Sequence, residues 1–158
     1  MRRDSWSWVM RRIERLRRVS GTEWRLLVEA LWLLAQIRVA LWIQPFKRVQ
    51  RRYARRRDGA PLVRGRSRSA AEAEAVGTAV RRSSRLVPAA TCLPQALTTR
   101  VMLERRGVPN ELLIGVAKSD AGTLEAHAWV TVDDVVVVGD LPDLARFRRM
   151  PELPSHVS

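Results

Sequence analysis

The C-terminal half of the sequence holds the side chains needed for nucleophilic catalysis. It contains the single cysteine of the chain, Cys92, together with His127 and Asp140. A thiolate is a strong nucleophile, an imidazole can take the proton from the thiol, and a carboxylate can hold the imidazole in the required tautomer. Together the three side chains indicate cleavage of an amide bond through a thioester.

Cys92 is predicted to lie in the first turn of a helix. Thr91 can cap this helix, an apolar face runs through the segment TCLPQALTTRVMLERRG, and Gly107 is suited to end it. Unpaired backbone N–H groups and the positive end of the helix dipole favour a thiolate at this position. A lone cysteine is more often an inert buried residue, so the position alone does not establish a nucleophile.

His127 and Asp140 are predicted to lie opposite each other in a β-hairpin. The segment Asp133-Asp134 separates the runs AHAWVTV and VVVVG and is typical of a two-residue turn. If Val132 pairs with Val135, the register places His127 opposite Asp140, with Cβ atoms about 5 Å apart on one face. The two turn residues would lie roughly 20 Å away. The alternatives are a one-residue bulge, which would break this register, and a surface His–Asp pair without a function.

Two further residues are candidates for contact with a substrate. Trp129 lies two residues after His127 and on the same face of the strand, where it can shield the catalytic pair or fill the core. Gln95 lies three residues after Cys92, on the same side of the helix, and its amide can face the substrate or solvent. The Cys92 backbone N–H supplies one oxyanion donor. A cysteine-based zinc site would lack ligands, and the chemistry requires neither a metal nor an organic cofactor.

The order of the predicted elements indicates an α+β fold. A capping box from Ser69 to Glu72 predicts a helix over residues 70–86, ahead of the helix that begins near Cys92. Helices therefore come first and an antiparallel sheet second. The strands are predicted at residues 111–117, 126–132 and 135–139.

Positive charge is concentrated in the N-terminal part of the chain. Of the net charge of +13, residues 1–68 contribute 19 basic and 5 acidic residues, or +14, and residues 69–158 contribute 10 and 11, or −1. This asymmetry favours a basic arm that meets an anionic partner, although the preference for Arg over Lys is also typical of a GC-rich genome. No nucleic-acid-binding motif accompanies the Arg clusters, so no nucleic-acid partner is expected. We divide the chain into a basic helical docking region (1–66), a catalytic domain (67–150) and a tail (151–158).

An apolar segment from Glu23 to Phe46 predicts a long helix that ends near Pro45. A buried or partner-facing helix is favoured, with membrane-surface attachment and a membrane span as the alternatives. Charges within the segment argue against a span. Residues 61–68 are predicted to be an exposed linker, and the lack of a signal peptide predicts a cytoplasmic protein. The predicted apolar face of the helix comprises Leu27, Leu31, Leu34 and Leu41, with Leu26 and Ile37 beside it, opposite a stripe of Arg25, Glu29 and Gln36.

Several short motifs resemble a known family. They are Cys92-Leu-Pro-Gln-Ala-Leu, Leu103-Glu-Arg-Arg-Gly107, Leu113-Ile-Gly-Val116 and Ala126-His-Ala-Trp-Val130. Together with the Trp- and Leu-rich N-terminal helix, they are similar to the transglutaminase-like leader peptidases of lasso peptide biosynthesis over about residues 20–145. The closer similarity is to the stand-alone form, which corresponds to the C-terminal half of the fused B protein.

The resemblance implies a papain/transglutaminase-like core, with a nucleophile helix packed on a small antiparallel sheet. It implies a Cys-His-Asp peptidase that removes the leader from a ribosomally made precursor peptide. Cys92 and His127 match the family's motif directly, whereas Asp140 depends mainly on the predicted hairpin. A small leader-binding protein and a separate ATP-dependent, asparagine-synthetase-like cyclase are the implied partners. An amide transferase on the same triad and a catalytically inactive adaptor, whose basic helical arm binds an anionic partner, are the alternative functions.

Overall fold

The computed structural model describes residues 20–46, 48–49, 66–119 and 121–150. Within these ranges the chain forms three helices and a four-stranded antiparallel sheet, which confirms the predicted α+β class. The helices are α1 (Gly21–Ile43), α2 (Arg66–Ser84) and α3 (Cys92–Arg105). The strands are β1 (Glu111–Lys118), β2 (Leu124–Val132), β3 (Val135–Val138) and β4 (Arg148–Arg149), with a 3₁₀ turn at Leu144–Arg146.

Several predictions concern segments outside the described residues. They include the N-terminal end of the basic arm, its continuation over most of residues 47–65, and the tail at 151–158. The linker predicted for residues 61–68 is wrong at its C-terminal end, because α2 already begins at Arg66. The capping box predicted at Ser69 is also wrong. Ser69 lies inside α2 with its side chain buried, so it cannot cap the N-terminus of that helix.

Helix α1 begins at a capping box that involves Ser20 and Glu23. The Ser20 hydroxyl accepts from the Glu23 N–H at 3.2 Å, and the Glu23 carboxylate accepts from the Ser20 N–H at 2.8 Å. The helix ends at Ile43, ahead of Pro45, as predicted. Its buried face differs from the predicted one, and Leu31 is 36% exposed. The side chains that are buried are Leu26, Ala30, Leu33, Leu34 and Ile37.

An ion-pair cluster explains why α1 is rotated about its axis and buries a different face from the predicted one. Glu29, predicted to lie on a polar stripe, faces α3 and accepts from Arg106 at 2.6 Å and from Arg105 at 3.1 Å. Burial raises the pKa of the Glu29 carboxyl, but hydrogen bonds and charges from Arg106 and Arg105 outweigh burial and leave the pKa below its ordinary value. The cluster therefore fixes α1 against the end of α3.

We expect Glu29→Gln to destabilise the fold by about 1–3 kcal/mol at neutral pH, because the partly buried Arg106 guanidinium and the more exposed Arg105 guanidinium lose their charged acceptor. Since the folded-state pKa of Glu29 is lowered, its contribution is present above the unfolded pKa and is lost as the pH falls through the folded pKa. Urea unfolding at several pH values measures this effect. Glu125→Gln, which breaks a more exposed ion pair with Arg146, should change stability much less. Equal losses would contradict a structural role for the Glu29 cluster.

The sheet has the strand order β3-β2-β1-β4 and is covered on both faces. Alternate residues of β2 point to opposite faces. Ala128, Val130 and Val132 belong to the helix-side core, in which α2 and α3 pack on the sheet and α1 packs on α2 and α3. Trp129 belongs to a smaller outer cluster that also contains Leu113, Ala117 and Phe147. The segment after β3 therefore covers the face that the helices leave open.

The hairpin between β2 and β3 is confirmed at its turn. Asp133 and Asp134 have φ values of +47° and +64°, which a two-residue hairpin turn requires. The pairs Val132–Val135 and Thr131–Val136 follow the predicted register. The next pair is Val130–Val138, so Val137 is an extra residue in β3 and forms a β-bulge. Beyond the bulge the predicted register is wrong.

Candidate active site

Cys92 is the first residue of α3, as predicted, and its side chain is half-buried against the helix-side core. The helix starts here because Thr91 is extended (φ −69°, ψ −169°) and Pro94, in the first turn, has no N–H that could lack a partner. The Thr91 side chain makes no capping hydrogen bond. The backbone N–H groups of Cys92 and Leu93 have no acceptor within the helix, so the thiol lies beside a set of free donors.

The loop before Cys92 is held by Gln95. Its side-chain Nε2 donates to the Ala90 carbonyl oxygen at 2.7 Å, which ties the loop back onto the first turn of α3. Within the same loop Ala89 has a φ of +55°, and its carbonyl accepts from the Thr91 N–H at 2.9 Å. Gln95 therefore has a positioning function that its spacing from Cys92 did not reveal.

His127 lies on β2 and is oriented by a backbone carbonyl. Its Nε2 lies 2.7 Å from the carbonyl oxygen of Gly139. Because a carbonyl oxygen can only accept, Nε2 is the nitrogen that carries the proton, and Nδ1 is the basic nitrogen. A general base requires a free ring nitrogen of this kind.

Two aromatic side chains lie beside the His127 imidazole. The Trp129 ring is nearly parallel to it, with centroids 6.1 Å apart, and the Phe147 ring lies 5.4 Å away. This confirms the prediction that Trp129 shares a face with His127. Gly115, directly opposite His127 on β1, makes the arrangement feasible: a Cβ there would lie 2.9 Å from Trp129 and 3.0 Å from Phe147.

Arg146 fastens the segment that carries Phe147. Its guanidinium group lies 4.6 Å from the centroid of the Phe147 ring and donates to the Glu125 and Asp143 carboxylates. It also donates to the Lys118 carbonyl oxygen at 3.3 Å. The segment after β3 is thus attached to β1 and β2 beside the imidazole.

The predicted direct pairing of His127 with Asp140 is wrong because of the bulge at Val137. The bulge shifts the chain by one residue, and Gly139, with a φ of +84°, then turns away from the strand and presents its carbonyl to His127. Asp140 follows with an exposed side chain that forms no hydrogen bond or ion pair to any residue the structure describes. The sequence therefore predicts the correct end of the hairpin, just after β3, but the wrong acceptor for His127.

Contacts from α2 hold the bulge in place. The Arg81 guanidinium donates to the Val137 carbonyl oxygen and, at 3.1 Å, to the Thr78 hydroxyl. Gly77 lies so close that a Cβ would be 2.8 Å from both the carbonyl oxygen and a methyl group of Val137. These long-range contacts carry no local sequence signal, so the sequence offers the bulge only as an alternative to the regular register.

The structure therefore assembles part of the predicted site. His127, Trp129 and the Gly139 carbonyl lie together, and α3, which carries Cys92, packs on β2. Within the described part of the chain, the thiol of Cys92 is not hydrogen-bonded to His127. Nor do three His, Cys, Asp or Glu side chains converge there to hold a metal ion.

Comparison with known proteins identifies the family. The sequence matches the transglutaminase-like superfamily over residues 31–152, more than half of the chain. Neither the curated proteins nor the solved structures contain a match. The superfamily generally includes cysteine peptidases and transferases, and three helices with a small antiparallel sheet are consistent with its core. The chain belongs to the transglutaminase-like superfamily.

Proposed function

We propose that the chain is a cytoplasmic cysteine peptidase that removes the leader from a ribosomally made precursor peptide during lasso peptide maturation. The observation that supports the proposal is the orientation and tautomer of the His127 ring. Its Nε2 is held by the Gly139 carbonyl, which leaves Nδ1 as the base, in a superfamily that includes cysteine peptidases. The similarity of the Cys92 and His127 motifs to lasso leader peptidases supports the choice of substrate.

In the proposed mechanism His127 takes the proton of the Cys92 thiol, and the thiolate attacks the scissile carbonyl carbon. The Cys92 N–H, free at the start of α3, donates to the oxyanion. The imidazolium returns its proton to the leaving amine as the C–N bond breaks, which leaves the leader as a thioester on Cys92. Water, deprotonated by the same imidazole, then hydrolyses the thioester. Because catalytic hydrogen bonds are often long in free enzymes, a Cys92–His127 bond is expected to form when substrate binds.

The remaining predicted residues receive supporting functions in this proposal. For Asp140 we retain only a minor function: its exposed carboxylate follows the Gly139 carbonyl in the chain and adds negative charge for the imidazolium without a direct hydrogen bond. Trp129 excludes water from the imidazole, since it is buried beside it. Gln95 positions the nucleophile loop and presents its remaining amide oxygen to the substrate. The proposed partners, from the resemblance, are a small leader-binding protein and an asparagine-synthetase-like cyclase that consumes the cleaved core peptide. The reaction uses no cofactor.

Intact-mass analysis tests the proposed function. The full chain is incubated with a candidate precursor peptide and the leader-binding protein, with an added amine in a parallel sample. Hydrolysis predicts two fragments whose masses sum to that of the precursor plus one water. A fragment that carries the amine would favour the amide transferase, and an unchanged precursor would favour the adaptor. Either result would overturn the proposal.

We expect Asp140→Asn to lower kcat by less than the ~10⁴-fold that follows when the orienting carboxylate of a Ser-His-Asp triad is replaced. Much of that loss comes from the wrong tautomer, whereas here the Gly139 carbonyl keeps the proton on Nε2. The exposed turn variant Asp134→Asn is the matched control and should leave kcat unchanged. A larger effect from Asp134→Asn than from Asp140→Asn would exclude Asp140 from the site.

A further inference from the structure

Helix α1 is apolar on two opposite faces. One face is buried in the helix-side core, and the other presents large apolar side chains to solvent, among them Trp32 (65% exposed) and Trp42 (82% exposed). At 100° per residue, the exposed side chains fall on one continuous strip about 28 Å long. We call this strip the tryptophan stripe; it comprises Trp24, Val28, Leu31, Trp32, Val39, Trp42 and Ile43.

Basic residues surround the stripe. Arg25 and Arg38 lie along its two borders by helical spacing, and no acidic residue falls within it. In the sequence, residues 1–19 contain seven Arg against two acidic residues, and residues 47–57 contain seven Arg or Lys and none. The stripe is therefore followed at both ends of α1 by positive charge, whereas residues 69–158 carry a net charge of −1.

We propose that the tryptophan stripe binds the surface of an anionic membrane, with α1 parallel to that surface. Trp side chains favour the boundary between acyl chains and headgroups, and neighbouring Arg residues bind anionic lipid headgroups. Among the described residues, α1 is the one helix long and apolar enough to cross a bilayer. It lies on the membrane and does not cross it, because Leu33, Leu34 and Ile37 are needed in the protein core.

The charge pattern favours a membrane over a second copy of the chain. Two copies paired through their stripes would bring Arg25 and Arg38 of one copy towards those of the other, where like charges repel. The shape also favours an extended surface, since the stripe is the convex side of a single helix. The groove between α1 and α2, lined by Leu26, Ala75 and Arg82 among others, contains none of the stripe residues.

Vesicle binding by the full chain tests this proposal. Co-sedimentation is measured with phosphatidylcholine vesicles and with 3:1 phosphatidylcholine–phosphatidylglycerol vesicles. We expect binding to the anionic vesicles that weakens as salt rises, with quenching of Trp fluorescence by brominated lipid. The double change Trp32→Ser with Trp42→Ser should weaken binding roughly tenfold or more and remove most of the quenching. The matched control is Leu86→Ser with Val135→Ser, which alters exposed apolar residues elsewhere and should change neither signal.

Several results would overturn the proposal. They are a lack of binding to anionic vesicles, binding without Trp quenching, and equal losses in the stripe and control variants. A stripe variant that converts a dimer to a monomer in gel filtration, without vesicle binding, would assign the stripe to a second copy. Circular dichroism confirms that each variant is folded. Because vesicle binding is measured without substrate, its failure is distinguishable from failure of the peptidase proposal.

Discussion

Replacement of Cys92 by alanine should abolish cleavage of the precursor, with kcat falling by a factor on the order of 10⁴ or more. Cys92 is the single thiol of the chain, so no other residue can form the thioester. The side chain is half-buried and forms no hydrogen bond to the described residues, so its truncation should leave the fold intact. Leader release is followed by mass spectrometry, and the thermal midpoint reports the fold.

A control separates loss of the nucleophile from a change in packing. Cys92→Ser keeps the shape of the side chain but replaces the thiol with a much weaker nucleophile, so it should also lose nearly all activity. Both variants should bind the precursor with an affinity close to that of the wild type. Cleavage retained by folded Cys92→Ala protein would eliminate the proposed mechanism.

Gly139→Ala should destabilise the protein strongly and disturb the imidazole of His127. An added Cβ would lie 2.6 Å from the Ala128 carbonyl oxygen and 2.7 Å from Trp129 Cβ, at a φ of +84°. The left-handed backbone costs about 1–2 kcal/mol and the overpacking about 1–3 kcal/mol, so the loss is about 2–5 kcal/mol. Urea unfolding measures this loss.

Gly122→Ala is the matched control for Gly139→Ala. Gly122 has a similar φ of +78°, but a Cβ there would meet nothing within 4 Å. The Gly122→Ala variant should therefore lose only the stability that the left-handed backbone costs. Nitrogen-15 spectra of the His127 ring provide a second measurement in variants that still fold. The wild type and Gly122→Ala should carry the proton on Nε2, and Gly139→Ala should lose that preference. Equal destabilisation and unchanged ring spectra would contradict the positioning role of Gly139.

The elements that hold Cys92 and His127 could be predicted because their signals are local. The apolar face after Thr91 and the positive-φ residue Gly107 correctly bound α3. The alternating run around His127 and the Asp133–Asp134 turn correctly predict the hairpin. Each of these features depends on residues within a few positions of one another, so periodicity and turn chemistry suffice.

The acceptor for His127 could not be predicted, because it depends on contacts between distant segments. Arg81 of α2 donates to the Val137 carbonyl, and Gly77 allows α2 to approach it closely; both support the bulge after which Gly139 turns and presents its carbonyl to His127. The rotation of α1 has a similar cause, since Glu29 pairs with arginines more than 70 residues away. In both cases tertiary contacts override a pattern that is correct locally.

Alkylation of Cys92 tests the central claim most directly, because one cysteine allows one unambiguous label. The full chain is treated with iodoacetamide, and the alkylated fraction from intact mass is compared with the remaining rate of precursor cleavage. We predict that activity falls in proportion to alkylation and reaches zero at one label per chain, and that bound precursor slows both processes. Undiminished cleavage by fully alkylated protein would contradict the assignment of Cys92 as the nucleophile.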